Sequence, residues 1–395
     1  MLTLLPMRPF YKKKKIGSVA SLGAALRVSD VVLKHTAATL EQHYTPYEIP
    51  KKSGKPRSIL IPSLHLKTLQ KRINREIFAH VQYPDYLFGG VEGKDYVRNA
   101  RVHAGSHVLI SLDVKDFYPS ITFDRVKRIY QHFLQFDPAV SELLAKLTTY
   151  NNSVPQGACT SSHLANLILH DVEYHLAQYC ATAKLTYTRL LDDICISSKT
   201  ALSKEKIAKL IDKVSSMLRD KGMKLKHQKT RVCSKSNPKE LMEVTGLWIN
   251  RGAPRVKPTE RRKIRVDVHR CQVLANQSLT NREYDRAHAS VSGRVAMLSY
   301  LGHSEAERLR KSVAAILPQF DIHEISKTKK IVALLSRASA KDRNKYSFIL
   351  NFNKTMQRLN IVARTDPKLA VQLRKSMATC RPTKRADATL YDEPI

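Results

Sequence analysis

Two adjacent aspartates lie between short apolar runs in the segment YTRLLDDICIS at 187–197. A third aspartate, Asp113, ends the apolar run HVLISLD. Carboxylates that meet at one sheet edge raise each other's pKa unless a cation neutralises them. Hard oxygen ligands of this kind suit Mg²⁺, which also binds substrate phosphates. If the two segments are neighbouring strands, the sequence predicts a metal site at Asp113, Asp192 and Asp193. A solvated acidic hairpin tip is the alternative.

A pair of divalent ions held by such carboxylates can activate a 3′-hydroxyl and stabilise a departing pyrophosphate. The composition favours a nucleic-acid substrate, because 68 Lys and Arg oppose 34 Asp and Glu and leave a net charge of +34. A surplus of this size indicates a polyanionic partner. No apolar run approaches the roughly 20 residues that span a membrane, so we expect no membrane partner.

The cysteines and the N-terminus indicate the compartment. The six cysteines have no CxxC spacing, which disfavours a zinc ribbon or a disulfide framework and predicts a cytoplasmic protein. The apolar part of the N-terminus is short, precedes the basic run and contains Pro6, so we expect no export signal.

The order of predicted elements indicates an α+β fold. A strand, a helix, a hairpin, a second helix and a further strand follow one another between about 107 and 250. From about 255 onward the pattern is helical and very basic. We therefore expect a mixed sheet domain followed by a helical domain.

Several segments resemble the motifs of reverse transcriptases. LISLDVKDFYPSIT resembles motif A, SVPQGACTSSHLANLIL motif B, YTRLLDDICISS motif C, GMKLKHQKTRV motif D and VTGLWIN motif E. SGKPRSILIPSLHLKTLQKRI resembles the fingers segment of bacterial members. The motifs follow the family's order over about residues 10–300. The Asn99-Ala100-x-x-His103 pattern and the VTG triplet at 244–246 resemble the retron branch, which makes small DNAs from a structured noncoding RNA in antiphage defence.

The resemblance implies a right-hand polymerase fold with fingers, a palm containing an antiparallel sheet, and a helical thumb. The predicted regions are a basic helical segment at 1–45, fingers at 46–110, the palm at 111–250, a basic helical thumb at 251–380 and a frayed tail at 381–395.

The resemblance also assigns metal ligands. Asp113 would bind two Mg²⁺ ions, for which Mn²⁺ could substitute, with the Val114 carbonyl assisting. Asp192 would be the second ligand and Asp193 a weaker participant.

Further residues are expected at the incoming dNTP. Tyr118 would be the steric gate that excludes a 2′-hydroxyl, although it could instead be a core aromatic. Gln156 and Gly157 would approach the nucleotide and template. Lys229 could protonate the pyrophosphate, or be a solvated lysine.

Basic residues of the fingers hairpin would bind the triphosphate. We expect Lys55 and Arg57 to do so, because a guanidinium and an ammonium complement phosphate oxygens. Lys51 and Lys52 could take their place.

Four residues are assigned to primer or RNA binding. Gly246 and Trp248 would hold the primer end, although Trp248 could equally be a core residue. Asn99 and His103 of the retron-like pattern complete the set.

The catalytic segment departs from the family pattern, since Leu190 and Leu191 replace the usual Tyr-Ala before the aspartates. We therefore keep several functions open. The favoured one is an RNA-directed DNA polymerase with a noncoding RNA template, an RNA–DNA hybrid and dNTPs as partners, and with an effector or second polymerase protein. The alternatives are a protein-primed or weakly template-dependent polymerase, a non-catalytic RNA-binding scaffold and, less favoured, a group II intron maturase.

Overall fold

The computed structural model describes residues 8–50, 56–237 and 240–392. The chain forms two units, which meet in the sequence between Pro254 and Arg255. The sequence predicts the boundary at 250–251.

The first unit combines short strands with helices. In chain order they are β1 (Phe10–Tyr11), α1 (Val19–Leu26), α2 (Asp30–Ala38), β2 (Tyr44–Ile49), β3 (Arg57–Pro62), α3 (Leu64–Glu76), β4 (Val81–Gln82), α4 (Tyr96–Val102), β5 (Val108–Asp113), α5 (Phe117–Ser120), α6 (Phe123–Arg128), α7 (Pro138–Thr148), α8 (Ser161–Leu167), α9 (Glu173–Thr182), β6 (Thr186–Leu190), β7 (Asp193–Ser198), α10 (Lys204–Arg219), β8 (Arg231–Ser234), β9 (Glu243–Val244) and β10 (Leu247–Trp248). Short 3₁₀ turns lie at Leu40–His43, Phe78–His80 and His227–Lys229, and a π-helical turn lies at Ile129–Phe133.

A four-stranded antiparallel sheet in the order β6-β7-β5-β8 positions the candidate site. Its inner face is apolar: Ile110 pairs with Ile196 and Leu112 with Ile194, and all four are buried. Because side chains alternate along a strand, the residues between them project to the opposite face. Burial of the apolar face therefore fixes the register at which Asp113 ends β5.

Helix α10 shows how the local sequence sets the elements beside this sheet. The Ser203 side chain caps its N-terminus by accepting a hydrogen bond from the Lys206 N–H at 3.2 Å. Its apolar stripe, which includes Leu210 and Val214, is buried, whereas Lys206 and Lys209 are exposed. The helix is thus amphipathic.

The second unit is helical. Its helices are α11 (Pro258–Gln277), α12 (Arg282–Tyr300), α13 (Ala306–Ala314), α14 (Ile322–Ser336), α15 (Tyr346–Thr365), α16 (Pro367–Ala378) and α17 (Ala386–Asp392), with a 3₁₀ turn at Asp342–Asn344. Val332, Phe352 and Leu359 are among the residues that form one of its apolar clusters. Helix α17 lies where the sequence predicts a frayed tail, and its Thr389 is buried. Among the described residues, no helix combines the length and hydropathy that crossing a membrane requires.

Candidate active site

The three aspartates of the sequence hypothesis meet at one end of the sheet. Asp113 at the end of β5 lies directly opposite Asp193 at the start of β7. Asp192 occupies the turn before Asp193, and its carbonyl accepts a hydrogen bond from the Val114 N–H at 3.0 Å. The solvated-tip alternative does not describe this turn, because Asp113 is only 8% exposed and Asp192 and Asp193 are half-buried.

The turn between β6 and β7 has an unusual backbone. Leu191 has a φ of 58°, in the left-handed region that a leucine rarely adopts. Such a conformation costs about 1–3 kcal/mol and persists only where the surroundings enforce it. The contacts around this turn must therefore hold it in place.

Electrostatics at the site reflect three carboxylates in one place. Burial, followed by repulsion from Asp192 and Asp113, raises the pKa of Asp193 to about 6, although Lys229 opposes the rise. The Lys229 ammonium lies 2.5 Å from Asp113 Oδ2. The site thus attracts positive charge.

The donor set fits a divalent metal that shares its ligands with substrate. Carboxylate oxygens and the backbone around Val114 are hard ligands of the kind that Mg²⁺ prefers. In the described residues, no group of three acidic, histidine or cysteine side chains encloses an ion by itself. Polymerase-type sites bind Mg²⁺ through one or two carboxylates plus substrate phosphates, so this open arrangement is compatible with the metal.

A buried ion pair that the sequence did not predict supports the catalytic turn. Arg189 of β6 is fully buried, and its Nε and Nη2 donate to Glu173 of α9 at 2.6 and 2.7 Å. Its Nη1 donates to the carbonyls of Leu191 at 3.2 Å and Ala165 at 3.0 Å, and its Nη2 to that of Asn166 at 3.0 Å. The only signal in the sequence is a single charged residue within the strand TYTRL.

Gly89 packs against the same turn. A Cβ at Gly89 would lie 2.5 Å from Leu191 Cγ and 2.9 Å from its backbone nitrogen. The Gly89 carbonyl accepts from Asn166 Nδ2 at 2.6 Å. The Gly-rich loop LFGGVEGKD at 87–95 therefore reaches the catalytic turn because Gly89 has no side chain.

The motif B loop contacts the fingers hairpin. The Gln156 carbonyl accepts a hydrogen bond from the Leu60 N–H of β3 at 2.8 Å. Gly157 has a φ of 114°, and a Cβ there would lie 2.6 Å from both Ile59 Cγ2 and the Leu60 carbonyl oxygen. Only glycine fits at this contact.

The remaining residues of the predicted nucleotide site are placed as follows. Tyr118 is half-buried in α5, packs against the main core and meets Phe117 edge to face at 5.8 Å. Arg57 begins β3 opposite Ile49. The predicted Lys55 and its alternatives Lys51 and Lys52 lie outside the described residues.

The comparisons with known proteins agree with this geometry. The family described as reverse transcriptase (RNA-dependent DNA polymerase) matches residues 49–281. The retron Se72 reverse transcriptase of Salmonella heidelberg is 34% identical over 95% of this chain and all of its own length. The retron Ec48 reverse transcriptase of Escherichia coli is 30% identical over 91% of each chain. The chain belongs to the retron reverse transcriptases. It is thus an RNA-directed DNA polymerase, a nucleotidyltransferase that depends on a divalent metal and uses an RNA template.

Solved telomerase structures are more distant from this retron reverse transcriptase. One from Candida tropicalis aligns with 14% identity and a TM-score of 0.39, over 54% of this chain and 55% of the other. One from Candida albicans aligns with 11% identity and a TM-score of 0.40, over 94% and 71%.

The VTG triplet of the retron reverse transcriptase forms a tight hairpin. β9 and β10 pair antiparallel across Thr245 and Gly246, whose φ values of 48° and 86° match the turns that join such strands. Thr245 and Gly246 line a cavity of about 300 Å³ together with Asp113, Asp193 and Lys229. Gly246 is therefore beside the candidate metal site.

Trp248 lies at the end of this hairpin. It is half-buried, and the Arg251 guanidinium lies 5.3 Å from its ring centroid. Its indole Nε1 is buried and has no hydrogen-bond partner in the part of the chain that the structure describes. The partial burial of Trp248 is typical of a core residue, whereas an indole N–H that is unpaired among the described residues is a feature of a residue that could hold the primer end.

Asn99 and His103 lie in the interior, away from any surface that RNA could contact. Both are fully buried. His103 bridges the catalytic hairpin through Thr188 Oγ1 on β6 and Ser197 Oγ on β7, each at 2.7 Å. Burial lowers the pKa of His103 to about 4, so the ring is neutral near pH 7. Burial of both residues differs from the expected RNA contact, and the two hydrogen bonds of His103 support a structural role for that ring.

Proposed function

We propose that this enzyme copies a structured noncoding RNA, to which it remains bound, into DNA by two-metal nucleotidyl transfer. The observation that carries the proposal is the direct pairing of Asp113 with Asp193 beside Asp192. Two retron reverse transcriptases that align with 91% or more of this chain support a noncoding RNA as the template. The net charge of +34 suits a bound polyanion. We further propose a cytoplasmic location, since all six cysteines are free thiols, and a role in antiphage defence, which the retron relatives suggest.

The residues of the pocket would divide the work. Asp113, Asp192 and Asp193 would hold two Mg²⁺ or Mn²⁺ ions, with the Val114 carbonyl assisting. Bound there, the ions would lower the pKa of a primer 3′-hydroxyl and neutralise the departing pyrophosphate. Lys229, now paired with Asp113, would be displaced towards the phosphates.

Other residues would position the nucleotide and primer. Tyr118 would exclude a 2′-hydroxyl, and Gln156 with Gly157 would fix the base pair from the motif B loop. Arg57 and Lys55 would contact the triphosphate from the fingers hairpin. Gly246, at the edge of the catalytic cavity, would guide the primer end, with Trp248 supporting the hairpin.

The nucleic acid that copurifies with the protein tests this proposal. It should be sequenced with and without ribonuclease treatment, and we expect one discrete RNA species paired with or joined to DNA. DNA that only protease releases would indicate protein priming instead. Protein free of nucleic acid that also fails to incorporate dNTPs on primed RNA would contradict the proposal. An effector or second polymerase protein stays a prediction, which mass spectrometry of the same preparation can test.

A further inference from the structure

A basic cavity of the first unit has no part in the roles described above. Its volume is about 630 Å³, and its lining includes Lys115, Arg219, Lys224, Lys226 and His227. Neither an aspartate nor a glutamate is among its lining residues in the described part of the chain. It is therefore a concave surface of one sign of charge, which concentrates anions.

The backbone forces two of these lysines together. Val114 and Leu225 form an antiparallel bridge, and the Lys115 N–H donates to the Lys224 carbonyl at 2.8 Å. Lys115 and Lys224 thus lie opposite each other. Like charges in opposite positions are destabilising, so the sequence tolerates a repulsion that an anion would relieve.

The neighbouring lysines show that carboxylate partners are available nearby. Lys221 and Lys229 each have an aspartate oxygen at 2.5 Å. Among the residues that the structure describes, Lys115, Lys224 and Lys226 form no such ion pair. Their side chains are exposed or half-buried and remain available to a ligand.

A further cation borders the cavity. Gly222 in its wall has a φ of 58°, and a Cβ there would lie 2.5 Å from Arg125 Nη2. The glycine therefore leaves room for the guanidinium beside the loop. Beyond this edge the lining changes to mixed charge, since the next cavity contains Asp171 and Asp220 together with Arg125.

We propose that this cavity binds consecutive phosphates of a single RNA strand, outside the pocket that contains the catalytic aspartates. The alternative source of phosphate, a free triphosphate or pyrophosphate, is less suited to it. Compact phosphates are typically bound at the N-terminus of a helix, whereas α10 presents its C-terminal end here, at Arg219. Exposed cations spread over one wall suit an extended backbone. The inference rests on the nucleic-acid substrate of the proposed function.

The test compares two triple variants, each of which loses three positive charges. The first carries Lys115→Gln, Arg219→Gln and Lys224→Gln. The control carries Lys204→Gln, Lys206→Gln and Lys209→Gln, all exposed on the same helix α10 and outside the cavity. The probe is a fluorescent single-stranded uridine homopolymer, titrated over a range of salt concentrations, and this measurement needs no polymerisation. Thermal unfolding of both variants checks that they fold.

We expect the cavity variant to reduce the slope of log K against log salt by about 2, because each phosphate of a single strand that a cation neutralises adds about 0.7 to that slope. The control should keep a slope near that of the wild type, and the KM for dNTP on a preformed primer–template should be unchanged in both. Equal slopes in the two variants would overturn the proposal. A raised KM for dNTP with unchanged RNA affinity would also overturn it and would assign the cavity to the triphosphate. Failure of the wild type to polymerise would contradict the proposed function alone.

Discussion

The two hairpins beside the catalytic pocket have similar turns but different surroundings. The β6–β7 turn places Leu191 at a φ of 58°, and the β9–β10 turn places Thr245 and Gly246 at 48° and 86°. The first turn is packed against Gly89 and Arg189, whereas a Cβ on Gly246 would meet nothing within 4 Å. The difference indicates that the turn that carries Asp192 is fixed by its protein contacts, while the tip of the VTG turn has open space around it.

The largest expected effect comes from breaking the buried pair beneath the catalytic turn. Glu173→Gln leaves the Arg189 charge buried without its carboxylate, which should destabilise the fold by about 3–5 kcal/mol. Urea unfolding measures the change. The matched double variant Arg189→Met with Glu173→Met should recover most of the stability, but it should stay poorly active because it cannot form the hydrogen bond to the Leu191 carbonyl. A fully active double variant would show that the pair does not position the turn.

A side chain at Gly89 should act on the turn directly. Gly89→Ala brings a Cβ within 2.5 Å of Leu191, and overpacking of this kind costs about 1–3 kcal/mol. We expect dNTP incorporation to slow by about 10- to 100-fold. Gly17→Ala is the control, since a Cβ there meets nothing within 4 Å, and it should remain fully active. Equal rates for the two variants would argue against contact between the loop and the turn.

The stability of the protein should depend on pH through His103, which lies at the base of the catalytic hairpin. The pKa of this buried ring is about 4, below the ordinary 6.5, so the unfolded chain binds a proton that the folded chain does not. The contribution of the neutral His103 ring to the free energy of unfolding is fully present above pH 6.5 and is lost as pH falls towards 4. Between pH 7 and pH 5 this amounts to about 2 kcal/mol.

His103→Gln isolates that contribution. Its unfolding free energy should fall less than that of the wild type between pH 7 and pH 5, even though burial lowers the pKa of His163 in the same way in both proteins. Parallel profiles for the two proteins would mean that His103 is not buried as a neutral ring.

The smallest effect is expected at the open hairpin. Gly246→Ala forces an alanine to a φ of 86° but meets no neighbour, so the stability should fall by only about 1 kcal/mol. The rate of dNTP incorporation on a long primer should fall less in Gly246→Ala than in Gly89→Ala. Greater damage at Gly246 than at Gly89 would reverse the comparison between the two hairpins.

The sequence predicted the part of the site that local patterns encode. The apolar runs at Asp113 and around Asp192 and Asp193 predicted a metal site on the condition that the two segments are neighbouring strands, and the resemblance of the other segments to reverse-transcriptase motifs favoured it; the structure pairs Asp113 with Asp193. It also predicted the α+β order and the helical second unit.

Long-range partners could not be read from the sequence in the same way. Glu173 and Arg189 are separated along the chain, and only the fold brings their side chains into one buried network. His103 resembled an exposed motif residue because its partners Thr188 and Ser197 lie on strands far along the chain. The helix α17 in the predicted tail likewise depends on packing rather than on composition.

We propose that Asp113 at the end of β5, Asp192 in the β6–β7 turn and Asp193 at the start of β7 form the metal-binding centre of the polymerase. The most direct test of this proposal is Mg²⁺-dependent incorporation of dNTPs on a primed RNA by the Asp192→Asn, Asp193→Asn double variant, with Asp212→Asn on the exposed face of α10 as the control. We predict that the double variant folds and incorporates dNTPs at least about 1,000-fold more slowly, while the control keeps the wild-type rate. A folded double variant that incorporates dNTPs at nearly the wild-type rate would contradict the account.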